Sequence, residues 1–369
     1  MKKVVSLIAA GLLAFSAFAA DTNTDVSNAA QTVLDKTDIS GLLDSGASKI
    51  NDGLEDFSKE LQKTIPNVQT QQNVYSDAFI GKLFPDLPPH FAAGVNFGLT
   101  QLNTEGLSDA VDGIQSVLST AVGSSGVAGA ALDLDMSVPN SLVLPTITAD
   151  LRVGGLFLPF DFGITAMLSS FDATGIDTGD KSTFRDLGGN FSVSGSSFSG
   201  ELNFFTLGFD VRYALLEDGL IFPGLSIGAG YVLSKGAVSV SGNASNESNG
   251  IKQKVDADIA VAYVTQTMYL QAQLSKKLFI VTPFVGARAL LSWTDNAYYW
   301  NVGYTVSTSE GSASIPKGAD ETLSSGTYFI PQLYLGTSLN LLFFQMTVSA
   351  SYDVRDALLS GALSARFKL

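Results

Sequence analysis

The sequence predicts an all-β protein: a closed antiparallel transmembrane β-barrel of about ten strands, with eight to fourteen compatible with the pattern, preceded by a helical segment. Three observations predict it. From residue 91 onward the chain alternates apolar and polar residues with a period of two, in stretches mostly near eleven residues or longer. That suits strands crossing a bilayer at a tilt, which need about 9–11 residues. The connections between these stretches alternate long and short, as in barrels with short turns at one end and longer loops at the other. Finally, 46% of the 369 residues are hydrophobic and only 15% are charged, against about 25% charged in an average soluble protein.

Residues 1–20 are expected to be an export signal. Lys2 and Lys3 precede an uncharged apolar run, Val4 to Phe18, and Ala17-Phe18-Ala19 is a small-x-small cleavage site. The run is too short to cross a bilayer as a helix. No other stretch reaches about 18 uninterrupted apolar residues. The chain has no cysteine, so it is expected to fold without disulfides or a lipid anchor on a cysteine. Formal charge is −14, and loss of the two leader lysines makes it −16 (−14 − 2). That balance disfavours nucleic acid and anionic surfaces as partners.

Residues 21–90 read as helical. Val26, Ala29, Ala30, Val33 and Leu34 recur at helical spacing, as do Ile50, Leu54, Phe57 and Leu61. Two amphipathic helices are expected, broken near Ser40-Gly41 and Ser45-Gly46 and ended by Pro66 and "FPDLPPH". They would form a hatch inside the barrel or a periplasmic segment below it. Ten strands follow, at 91–102, 142–154, 157–170, 202–215, 220–241, 253–275, 278–295, 325–340, 342–353 and 358–369. The expected long connections are 103–141, 171–201, 242–252 and 296–324. An even strand number leaves both termini on the periplasmic side.

The stretch "NFFTLGFDVRYALLEDG" (203–219) poses the main choice. Its apolar face, Phe205, Leu207, Phe209, Val211, Tyr213 and Leu215, could fill a soluble sandwich core or face lipid. Aromatics on the apolar phase gather near the short turns, at Phe160, Tyr213, Phe279 and Phe344, where an interfacial girdle belongs. The loop asymmetry has no reason to exist in a sandwich. The apolar face is therefore expected to meet lipid, and the polar face the lumen.

The last strand, "LSGALSARFKL", resembles the C-terminal signature of bacterial outer-membrane proteins, which their assembly machinery recognises. That signature usually ends on an aromatic residue; here Leu369 is last and Phe367 stands two before it. The layout as a whole resembles FadL-type outer-membrane transporters of long-chain fatty acids and other hydrophobic compounds. The likeness rests on the leader, the N-terminal segment, Gly-rich strands such as "LSIGAGYVL" (225–233) and a helix in an external loop. It departs in strand number, ten against fourteen, and in the length of the hatch. The resemblance implies an outer-membrane location, lipid and assembly machinery as partners, a small hydrophobic ligand, and no cofactor.

Candidate sites follow from the two faces. Asp150, Arg152, Asp161, Asp210, Arg212, Arg288, Asp353, Arg366 and Lys368 fall on the lumen phase. They read either as an ion-pair network filling a narrow barrel or as a selectivity lining. Leu107, Val111, Ile114, Val117 and Leu118 form one stripe of a loop helix, either packed on its surroundings or serving as an apolar lid. Strand 253–275 carries its apolar residues on odd positions up to Tyr263 and on even ones from Met268. A β-bulge at Val264 would explain the slip and could open a lateral gap in the wall. His90, the single histidine, has no Ser or Asp partner in any catalytic motif, and the acidic loop 171–201 lacks calcium-loop spacing. No catalytic or metal site is expected. Passive uptake of small hydrophobic compounds, gated by the N-terminal segment and the external loops, is the leading expectation. A structural or adhesive barrel with binding loops at 171–201 and 296–324, or a small general porin, are the alternatives.

Overall fold

A computed structural model describes residues 39–71, 90–124, 140–154, 160–168, 198–216, 218–248, 251–308 and 311–368. The leader and the first expected helix lie outside the described residues. Helix α1 (Ile39–Gln71) precedes β1 (His90–Asn103), α2 (Glu105–Ser124), β2 (Ser141–Gly154), β3 (Asp161–Leu168) and β4 (Phe198–Leu216). Then come β5 (Gly224–Ser248), β6 (Ile251–Ser275), β7 (Val281–Thr308), β8 (Gly311–Leu341), β9 (Phe344–Asp353) and β10 (Leu359–Lys368). The ten strands form one closed antiparallel barrel in sequence order, as expected. Pairing of β1 with β10, for example Gly94 with Arg366 and Phe97 with Leu363, seals it.

The turns after β2, β4, β6 and β8 lie at one rim, here the lower, together with the start of β1 and the end of β10. The upper rim is uneven. Strands β5 to β8 run 25, 25, 28 and 31 residues, while β9 and β10 have 10 each. Two expected loops, 242–252 and 296–324, are instead continued ladder. Asn246 pairs with Gln253, and Tyr299 pairs with Glu321 and Ser307 with Ser312. The alternation used to detect strands fails there because the environment of each face changes, not because the strand ends.

That change is visible in β7. Below it, Val285, Leu291 and Trp293 are exposed on the outward face while Arg288, Ser292 and Thr294 are buried inward. From Asp295 upward the outward face turns polar and the inward face carries Tyr298 and Trp300. Val281 to Trp293 is 12 steps of strand, or about 40 Å along the strand and ~30 Å along the barrel axis at a tilt near 40°. This is the height of a lipid-facing belt. Phe160 against Tyr213 (centroids 5.5 Å) and Phe343 against Phe367 (6.3 Å) mark its lower edge.

The same boundary explains the slip in β6. Odd residues from Ala257 to Gln273 all point inward without interruption. Val264 pairs with Lys235 on one side and Asp295 on the other, in unbroken register. No bulge and no lateral gap occur at Val264. The register shifts in the described ladders lie at Ala214/Leu216 and Val302/Tyr304. Above Val264 the apolar residues face helices in the lumen, and below it they face outward, so the apolar phase moves while the strand does not.

Helix α1 stands in the lumen. Its Pro66 does not end it: the helix continues to Gln71, and the Thr70 hydroxyl donates to the Pro66 carbonyl at 2.9 Å. Neither Ser40-Gly41 nor Ser45-Gly46 breaks it. Trp300 Nε1 donates to Asn51 Oδ1 (2.9 Å), Asn296 Nδ2 to the Ser58 carbonyl (2.8 Å), and Arg288 Nη1 to the Thr70 carbonyl (2.6 Å). Descending β7 from 300 to 288 covers 12 residues, roughly 30 Å of axial height at that tilt. Following α1 down from 51 to 70 covers 19 residues, about 28 Å. The two lengths agree only if α1 lies along the barrel axis with its N-terminus at the upper rim. The barrel itself begins and ends at one rim, as an even strand number requires, while α1 begins at the opposite rim.

Candidate functional site

The lumen has three tiers, each set by what the inward residues meet. In the upper tier, Ile50, Leu54, Phe57 and Leu61 of α1 pack with Leu107, Val111 and Ile114 of α2 and with Ile259, Val261, Tyr263, Tyr298 and Trp300 of the wall. Leu107, Val111 and Ile114 of the α2 stripe thus form a packed face; the Val117 and Leu118 side chains lie outside the described residues. Asn103 caps α2, its Oδ1 accepting from the Glu105 amide at 3.0 Å. The helices meet through glycines spaced by seven, Gly46 and Gly53 against Gly106 and Gly113. A methyl on Gly53 would lie 2.6 Å from both the Ala110 nitrogen and the Gly106 carbonyl. Side-chain-free crossings of this kind let backbones touch, and the sequence reading overlooked the spacing that signals it.

In the middle tier α1 turns largely polar, with Ile65 and Val68 continuing its apolar stripe. Asn67 donates to Asp353 Oδ2 (3.0 Å) and accepts from Gln332 Nε2 (2.9 Å). Gln71 accepts from Thr100 (2.7 Å) and donates to Thr146 (3.2 Å), and Gln69 donates to the Thr265 carbonyl (3.3 Å). Arg288 ends the helix. It bonds the Thr70 carbonyl, Gln271 (3.0 Å) and Gln332 (3.1 Å), and its guanidinium lies 4.5 Å from the Tyr334 ring centre. A cation at the negative end of the helix dipole is stabilising, so Arg288 reads as a clamp for α1. Helix residues buried all round with polar side chains were the available sign of a lumen position.

In the lower tier two ionic groups fill the floor. Arg152 Nη1 stands 3.0 Å from Asp161 and its Nη2 2.7 Å from Asp210, with Arg212 Nε 3.6 Å from Asp210. Beside them Arg366 Nε lies 3.3 Å from Asp150, and Asn96 bridges the pair, accepting from Arg366 (3.0 Å) and donating to Asp150 (2.7 Å). Eight of the nine charged candidates are buried. They comprise four arginines and four aspartates, so the set is neutral, as a charge cluster taken out of water must nearly be. The structure joins six of them on the floor and leaves Arg288 and Asp353 above, each bound to α1. Lys368 is half-buried at the lower end of β10, and His90 half-buried at the start of β1, opposite Gly154.

At the upper turn between β9 and β10, Asp353 Oδ1 accepts from the Arg355 amide at 2.9 Å. Burial pushes the Asp356 carboxyl above its ordinary range and the Asp353 charge pushes it the same way, against the opposing pull of Lys63 and Arg355.

No family model matches the chain, and no curated protein is similar to it. Among solved structures it is similar to the β domain of the Bordetella autotransporter BrkA, at 10% identity over 75% of this chain and 98% of that one, TM-score 0.31. It is also similar to a Pseudomonas aeruginosa FadL homologue (10% identity, 76% and 90% covered, TM-score 0.23) and to the P. putida toluene transporter TodX (7%, 76% and 90%, 0.21).

Proposed function

We propose that the protein is an outer-membrane barrel whose lumen is closed at rest by α1, and that it admits small, hydrophobic compounds when α1 shifts. The carrying observation is the helix along the axis, apolar where it meets α2 and hydrogen-bonded to the wall below. The outward apolar belt supports the membrane setting, and the raised β5–β8 hairpins support the upper rim as the external one. A greasy solute arriving from outside meets the apolar upper tier first. The polar middle tier can exchange its side-chain bonds for water, which suits a removable plug. A general porin is disfavoured because the lumen is occupied.

Two measurements test this reading. Deleting 21–71 raises single-channel conductance in planar bilayers above that of the full chain. Because the deletion also removes one wall of the apolar tier, the cysteine-free background allows a reversible variant. Ser58→Cys with Asn296→Cys joins residues already in hydrogen-bond contact. Oxidation lowers uptake of a monoaromatic probe, and reduction restores it. Uptake indifferent to the crosslink contradicts the gate.

A second reading has its own support. Strands β5 to β8 rise well above the belt and hold α1 and α2 against their inner face, a built external platform. If it binds a surface partner, trimming 296–324 abolishes attachment while the barrel still assembles.

A further inference from the structure

We infer that the lower rim is an interaction surface for lipid: the tips of its turns are seated in the adjoining leaflet rather than standing in the aqueous space below it. This rests on the membrane setting proposed above. The described lower turns carry their apolar residues outward at the tip. Leu220 is 98% exposed, and Ile221 and Phe222 follow it; Phe279 is 97% exposed between Leu278 and Ile280; Leu342 is 97% exposed beside Phe343. Turn tips in water favour Gly, Asn, Asp and Ser. Phe279 and Leu342 even hold left-handed backbone, at φ 55° and 49°, a conformation that is strained for bulky residues. The strain presents an apolar side chain where a glycine or asparagine would relax the backbone.

The polar backbone of these turns is hydrogen-bonded within the rim. Lys276 reaches across from the neighbouring turn and donates to the carbonyls of Gly219, Leu220 and Phe222, with Asp218 as its counter-ion at 3.0 Å. The Ile280 carbonyl accepts from the Asn340 amide at 2.6 Å and the Phe343 carbonyl from the Lys368 amide at 2.8 Å. Leu278 and Val281 exchange both backbone bonds. Water would satisfy such groups without help, whereas lipid demands that the protein do so.

Height points the same way. On β9 the belt runs from Phe344 to Tyr352, and on β10 from Leu359 to Phe367. Eight steps give ~26 Å of strand and about 20 Å of axial height at a tilt near 40°, short of a typical belt of about 25 Å. The apolar tips are continuous with Phe344 and Phe367 and extend the belt by one turn depth. The wall is short on this side only, the β7 belt being ~30 Å high, and a wall too short for its bilayer is relieved by sinking its edge into the interface.

The absence of native cysteine makes the test direct. Phe279→Cys, Leu342→Cys and Leu220→Cys, each nitroxide-labelled, are reconstituted in vesicles of phosphatidylethanolamine and phosphatidylglycerol with no other protein. Accessibility to oxygen and to a water-soluble nickel chelate is read by power-saturation EPR. Leu270→Cys on the outward belt and Lys254→Cys on the upper hairpin are the references. Labels at the three tips should match Leu270→Cys, with oxygen accessibility several-fold above nickel. Tips matching Lys254→Cys while Leu270→Cys reads lipid overturn the inference alone and leave a protein partner as the cover. Leu270→Cys reading water overturns the membrane setting and the inference together.

Discussion

Replacing Gly53 by alanine probes the contact that fixes α1 in the barrel. In an isolated helix the change is favourable by about 1 kcal/mol, since glycine is the poorer helix former. Here the new methyl would lie 2.6 Å from the Ala110 nitrogen and the Gly106 carbonyl, and 3.1 Å from the Ala110 Cα. All three are backbone atoms and none can swing aside. Restoring ordinary contact, 3.4 Å or more, requires the helices to part by about 0.8 Å (3.4 − 2.6), which loosens Ile50, Leu54 and Phe57 against Leu107, Val111 and Ile114. Overpacking of this kind costs about 1–3 kcal/mol. Set against the propensity gain, a net loss of about 1 kcal/mol remains. Hydrogen exchange should then show amides 50–61 of α1 losing protection about fivefold. Gly361→Ala, whose nearest atom is Ser349 O at 3.8 Å, should change little. Increased protection in Gly53→Ala would refute the close crossing of α1 and α2.

Three further outcomes follow from the tiers. Arg152→Met leaves Asp161 and Asp210 facing each other without their shared cation and should cost about 3–5 kcal/mol, seen as a lower temperature for the shift in gel mobility on unfolding; adding Asp161→Asn, which leaves Arg212 paired with Asp210 in a neutral group, should recover most of the loss. Arg288→Gln removes the charge at the end of α1, so exchange should accelerate at 67–71 and not at 50–57; equal acceleration along the helix would count against the clamp. Asp356 has a raised pKa, so its neutral form favours the folded turn. Stability at 354–358 should therefore rise as pH falls from 7 through the raised folded value toward the ordinary carboxylate value, level off below that, and be lost again on return to neutral pH. Limited proteolysis of this turn should lose that pH dependence in Asp356→Asn.

The fold was legible because lipid imposes a strict rule: one face of each strand must be apolar for its whole membrane height. Phe205 to Leu215 obey it almost without exception, and the ten strands were found in order from that regularity. The rule lapses above the belt, where the inward face of β6 packs on helices and the outward face meets water. That is why Val264 looked like a bulge and why 296–324 looked like a loop. The inward charges were legible from parity alone, but their grouping was not. Whether Asp161 meets Arg152 depends on the stagger of β2, β3 and β4, which no single strand encodes. The direction of α1 was hidden for a related reason. Ile50, Leu54, Phe57 and Leu61 show that a helix buries one face, while only their partners on α2 and the wall show which way up it stands.

The central claim is that α1 stands in the lumen with its N-terminal end at the external rim. Labelling of Lys49→Cys with a membrane-impermeant maleimide on intact cells tests it most directly, since Lys49 is exposed on α1 near the upper rim. Lys277→Cys, exposed at the lower rim, is the internal reference. Labelling at position 49 without permeabilisation, with position 277 silent until the membrane is opened, is the predicted result. Position 49 staying silent on intact cells, and reacting together with 277 once they are opened, would contradict it.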